Sequence, residues 1–148
     1  MVTREDVESY LLRTGLDHHE ISEGMWLVEG NGDGAGIVVH YSPPLVVFRL
    51  KVMDLPTDEN RCNGLFRRLL ELNATDLLHG AYGIDRDTVV LSEALELSHL
   101  DYEEFQASFE SMTIALASHL RELVAIRDGQ VHTGTHRAIT SDAIHEAR

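Results

Sequence analysis

Residues Leu45–Met53 read LVVFRLKVM, and this run constrains the fold more than any other stretch of the chain. Side chains alternate along a strand, so Val46, Phe48, Leu50 and Val52 point one way and Leu45, Val47, Arg49 and Lys51 the other. One side is wholly apolar and the other is apolar at one end and basic at the other, the pattern of a strand that is either central with both faces covered, in the monomer or a dimer, or open on its second face. Pro43-Pro44 precedes it and Pro56 follows. Proline cannot donate to a strand ladder, so both flanks break the strand. Upstream, Ala35, Ile37, Val39 and Tyr41 alternate in the same way. Before them Asn31-Gly32-Asp33-Gly34 is a turn signal, because Asn and Gly tolerate positive φ, and Gly24–Glu29 (GMWLVE) reads as a further strand. Three strands joined by short breakers predict an antiparallel meander.

Helical spacing surrounds the meander. Thr3 is placed to cap a helix to about Arg13, with Glu5 and Asp6 in its first turn, apolar Val7, Tyr10 and Leu11 on one stripe, and Gly15 as the stop. Thr57 is the expected cap of a second helix, in which Cys62, Leu65, Phe66, Leu69 and Leu70 recur to about Asn73. Ala81–Ile84 and Thr88–Leu97 predict a hairpin turning at Asp85-Arg86-Asp87; Val89, Leu91, Leu95 and Leu97 share a face on which Glu93 is the exception. Asp101 and Glu104 stand at capping-box spacing before the longest helix, whose stripe runs Phe105, Phe109, Met112, Leu116, Leu120, Leu123. The expected fold is therefore α+β in the order α-β-β-β-α-β-β-α, an antiparallel sheet packed against helices. Residues 1–126 form the expected domain. From Arg127 the pattern gives way to Gly, Thr, His and Ser, and 127–148 is expected to be a flexible polar tail.

Size and charge narrow the function classes. At 148 residues the chain suits one domain, able to bury roughly 68–70% of its unfolded surface without a metal or disulfide. Cys62 is the only cysteine, so no internal disulfide forms. No apolar stretch approaches the ~18 residues of a membrane span, and the acidic N-terminus lacks a signal-peptide layout, so the cytoplasm is the expected compartment. Twelve Lys and Arg against 25 Asp and Glu give a formal net charge of −13. Nucleic acid and anionic membrane would be repelled at long range, and neither is an expected partner.

The residues that could carry chemistry form no site. No GxxxxGK[ST] loop is present, and the glycines at 30, 32, 34 and 36 fall between strands, not ahead of a helix. Asn31 and Asp33 hint at a calcium loop, but its twelfth position holds Ser42 where a bidentate carboxylate belongs. Cys62 has no histidine near it in sequence and reads as a small core residue. His18-His19-Glu20 falls in a connection. His132 and His136 have i, i+4 spacing, but Gly134 and its threonines oppose a helix there; His145 lies further along the same tail. His119, beside the stripe of the last helix, reads as a boundary residue. No metal, no cofactor and no enzymatic activity are expected.

Surface apolar residues carry the functional reading. Helices covering one sheet face would leave Leu45, Val47 and Met53 on the other, with Trp26 on a neighbouring strand, as a strip for a segment of a partner protein. The broad apolar arc of the second helix (Cys62, Leu65, Phe66, Leu69, Leu70) predicts an isologous homodimer contact.

The stretch Leu69–Leu123 carries a resemblance. Its LLELNA segment with Asn73, a short link, a hairpin with VVL, then L-D-Y-E-E-F opening a long helix, resembles the type III secretion chaperone (Tir chaperone, CesT-like) family and the related YbjN-like proteins. The resemblance implies a homodimer that binds an extended segment of a client protein without ATP. Its YbjN-like branch implies instead a sensory or regulatory module, binding a small molecule or a regulatory protein. The histidine-bearing tail has no counterpart in either.

Overall fold

The computed structural model describes residues 1–29 and 36–130. The expected Asn31–Gly34 turn and the tail histidines His132, His136 and His145 lie outside the described residues. The chain runs α1 (Arg4–Thr14), β1 (His18–Ser22), β2 (Met25–Val28), β3 (Ile37–Ser42), β4 (Leu45–Asp54), α2 (Glu59–Thr75), β5 (Ala81–Asp85), β6 (Thr88–Glu96) and α3 (Tyr102–Asp128), with a 3-10 turn at Leu97–His99. The α+β class stands, and the sheet has six strands where five were expected.

The additional strand is β1. His18-His19-Glu20, read as a connection, pairs antiparallel with β2 across Gly24, whose φ is 72°. Its sequence, HHEIS, shows no apolar alternation because the strand lies at the sheet edge and is largely exposed. Backbone hydrogen bonds to β2 hold it, and these leave no mark in the pattern.

Sheet order is β1-β2-β3-β4-β6-β5, antiparallel throughout. Helix α2 and strand β5 intervene in sequence between the paired strands β4 and β6. Each helix begins at a side-chain cap. Thr3 and Asp6 form a reciprocal capping box at α1, and Gly15 (φ 74°) closes it. At α2 the cap is Asp58, one residue after the expected Thr57; its carboxylate accepts from the N–H groups of Asn60 and Arg61, and its charge suits the positive end of the helix. Asp101 accepts from the Glu104 N–H at 2.8 Å to open α3, which continues through Arg127 and Asp128 before Gly129 (φ 70°) ends it. The helical pattern thus outlasts the expected domain limit by two residues.

The core draws on one side of the sheet only. Register places Trp26, Val39 and Phe48 in one cross-strand row, and Val28, Ile37, Leu50, Leu91 and Tyr82 in the next; all are buried. Against them α3 contributes Phe105, Phe109, Met112 and Leu116, α1 contributes Val7 and Leu11, and α2 contributes Leu65, Leu69 and Leu72. Phe48 lies at the centre, 5.0 Å from Phe105 and 5.8 Å from Phe109, both edge to face.

Candidate protein-binding surfaces

The other side of the sheet is built from the alternate residues of the same strands. Met25, His40, Val47 and Ala94 make one cross-strand row; Leu27, Val38, Arg49, Ser92 and Ala81 make the next. None of them belongs to the core cluster. Met25, Leu27, Val38, Leu45 and Val47 are half-buried by their neighbours in the sheet, and Ala94 is exposed. The basic end is held in place by ion pairs, Arg49 to Asp85 at 3.2 Å and Lys51 to Asp54 at 3.1 Å.

Two of the four residues expected on this strip lie elsewhere. Trp26, at 2% exposure, faces the helices beside Val39, with the Arg4 guanidinium 5.7 Å from its ring centre. Met53 is 5% exposed in the core. A β-bulge explains it: the β4–β6 register runs Lys51↔Val90 and then Met53↔Val89, so Val52 is an extra residue that inverts the alternation beyond it. Leu45 and Val47 precede the bulge and keep the expected side.

Helix α2 divides its apolar arc in the same way. Leu65 and Leu69 are buried within the protomer, so neither is surface that a second copy could meet. Phe66 is half-buried, Leu70 is 67% exposed, and the Cys62 thiol donates to the Pro56 carbonyl at 3.0 Å.

The region where α2, β5 and α3 meet holds a polar network that the sequence reading missed. His119, placed at a boundary by its pattern, is 6% exposed. Its Nδ1 lies 2.8 Å from the Tyr82 hydroxyl and its Nε2 lies 2.9 Å from Asp76 Oδ2. Burial, helped by the Asp76 charge, pushes the Tyr82 phenol up to about 12. The Asp76 carboxylate can only accept, so Nε2 carries the proton it receives, and in the neutral ring Nδ1 then accepts from the phenol. Beside it the Asn73 amide donates to the Tyr82 carbonyl at 3.1 Å and accepts from the Tyr82 N–H at 2.8 Å. Asn73 thus bonds the outward backbone groups of edge strand β5 as a neighbouring strand would. Spacing gave no warning of either contact, since 37 residues separate His119 from Tyr82.

Glu93, the polar exception of its strand, sits opposite Phe48 on the helix side. Its Oε2 is buried without a hydrogen-bond partner, 3.8 Å from His79 Nδ1. Burial raises its pKa, partly offset by His79. Among the described residues no group of three or more His, Cys, Asp or Glu side chains is placed to hold a metal ion. No helix among them is long and apolar enough to cross a membrane.

This arrangement of helices on one sheet face agrees with a family model, CesT_Tir_1, that matches residues 2–128. The chain belongs to the CesT_Tir_1 family. Solved structures share the family fold at low identity. A chain of the heterodimeric ExoU–SpcU complex, from the type III secretion system of Pseudomonas aeruginosa, superimposes with a TM-score of 0.61 at 15% identity, over 83% of this chain and 98% of that one. A chain of the Yersinia pestis type III secretion chaperone SycH, in complex with a stable fragment of YscM2, gives 0.57 at 14% identity, over 78% and 98%. YbjN from E. coli gives 0.60 at 14% identity, over 82% and 96%. No curated protein matches the chain in sequence. The CesT_Tir_1 match spans all nine helices and strands of the described residues, so the resemblance carried by Leu69–Leu123 extends through the N-terminal third.

Proposed function

We propose that the chain is a cytoplasmic, non-enzymatic, chaperone-like module that receives an extended segment of a client protein on the helix-free face of its sheet and acts as a homodimer. The observation that carries this reading is the patch of half-buried apolar residues Met25, Leu27, Val38, Leu45 and Val47 on a sheet whose other side holds the whole core. Same-face side chains recur about 7 Å apart along a strand, so such a face reads an extended peptide at every second residue. A net charge of −13 opposes non-specific association through that apolar area. SpcU and SycH, which share the fold, were each solved in complex with another protein.

Replacing Leu45 and Val47 together by Asp is expected to abolish client capture in a pull-down while leaving the circular dichroism spectrum unchanged. Both side chains are half-exposed, so the new carboxylates reach water, and the stability cost stays near 1 kcal/mol per site. A folded variant that still captures client would remove this face from the site.

For the homodimer, Phe66 and Leu70 are the apolar side chains of α2 that remain open to a partner. The pair Phe66→Glu and Leu70→Glu should convert a dimer to a monomer by light scattering, because four like charges would face one another across a two-fold contact. A wild-type chain that is monomeric at micromolar concentration would rule the contact out.

A further inference from the structure

On the helical side of the domain, remote from the open sheet face, a groove of about 490 Å³ runs between the end of α2 and the outer surface of α3. Along α3 it is lined by Ser111, Ala115 and Ser118, short side chains at i, i+4 and i+7. Leu78, 90% exposed, and Ile114, 65% exposed, form its rims and are among the most exposed large apolar residues described. Its charged side chains are Asp76 and Glu110. Neither carboxylate has a Lys or Arg within 4.0 Å among the described residues; Asp76 pairs with His119, and Glu110 accepts from the Gln106 amide at 3.0 Å.

The helix ends add to this field. A helix C-terminus carries partial negative charge that a basic residue in the last turn offsets. Arg13 does so for α1 and Arg127 for α3, but α2 has no basic residue in its last turn and ends at Asp76, in the groove. Buried His119 fixes Asp76 through its Nε2, itself held by Tyr82 at the other ring nitrogen. The groove therefore presents apolar rims around a negative centre that meets no Lys or Arg among the described residues.

We propose that this groove is a second docking site, taking a segment of a client protein that sets an aliphatic side chain beside a lysine or arginine. The inference rests on the proposed protein-binding role and adds a surface separate from the sheet face. Charge complementarity selects the occupant. A second copy of this chain, at net −13, brings excess negative charge to an acid-lined groove, whereas a basic residue meets Asp76, Glu110 and the α2 terminus together.

The test is an NMR titration of the full isotope-labelled chain with a synthetic octapeptide of alternating leucine and arginine, and with its leucine–glutamate counterpart. The Leu-Arg peptide should shift the amides of Ser111, Ala115 and Ser118 in a saturable, salt-sensitive manner below about 1 mM, and the Leu-Glu peptide should not. Glu110→Lys, at an exposed position, should weaken the Leu-Arg peptide about tenfold without changing the fold. Equal binding of the two peptides, no shift at the groove, or shifts confined to Met25, Val38 and Val47 would overturn the proposal. Groove shifts that grow with protein concentration in the absence of peptide would assign the groove to a second copy and overturn it equally. The Leu45→Asp and Val47→Asp pull-down reads the sheet face alone, so either surface can fail while the other stands.

Discussion

Phe48→Ala is expected to lower the unfolding free energy by about 3–5 kcal/mol, a range set by the removal of a fully buried aromatic and the cavity left behind. Phe48 is completely buried, in the middle of the central strand β4, and meets two aromatic edges of α3. Those two contacts join the sheet to its longest helix at the middle of the core. Neighbours can collapse into the gap only in part, because Val39 on β3 is held by the ladder and Phe105 by the first turns of a capped helix. For a chain of this size the loss corresponds to roughly 6–20 °C in Tm. Trp26 is the only tryptophan and lies in the adjoining core, so its fluorescence reports the transition. A urea midpoint that falls with an unchanged slope checks the prediction; a change under about 1 kcal/mol would show that β4 and α3 are not coupled through this side chain.

Met53→Asp is expected to prevent folding at neutral pH. The side chain is 5% exposed among Val89 and the core cluster, and a carboxylate there would be desolvated with no partner. Loss of the methionine packing alone costs about 2–5 kcal/mol. Burying the charge adds several more, which together reach the whole stability of an ordinary domain of about 5–15 kcal/mol. The same substitution at Val47, six residues earlier on the same strand, faces the open side and leaves the fold intact. Far-ultraviolet circular dichroism on the two single variants makes the comparison. A folded Met53→Asp protein would place this residue outside the core and the bulge out of register.

That contrast shows what the sequence could and could not disclose. Alternation in β3 and in β4 up to its bulge was legible because one face of each is buried residue by residue, and the α3 stripe was legible because 27 residues sample every face of the helix several times. Met53 was misassigned because parity counting assumes an uninterrupted ladder, and a bulge is a property of the pairing with β6, not of either strand. Trp26 was misassigned for want of a reference: on a four-residue strand of Met, Trp, Leu and Val, nothing in the pattern distinguishes the sides. Leu65 and Leu69 looked available for a second copy because the arc on α2 is broad, but that arc is shared between α3 and the sheet. The His119–Tyr82–Asp76 network joins three elements and has no local signature at all.

Asn73 has a consequence for how this sheet can grow. By occupying the outward backbone groups of Tyr82, the second residue of β5, it covers the start of that margin from α2. Among the described residues the opposite margin, β1, carries no such side-chain cover and is the side at which another chain could extend the ladder. Propagation of strands from copy to copy requires two free margins on every subunit, one to give and one to receive. A sheet with a single free margin can add a strand once, or meet a second copy margin to margin, and after that no site remains. With one margin uncovered among the described residues, edge pairing ends after a single addition, which opposes the propagation of strands from copy to copy into a fibre.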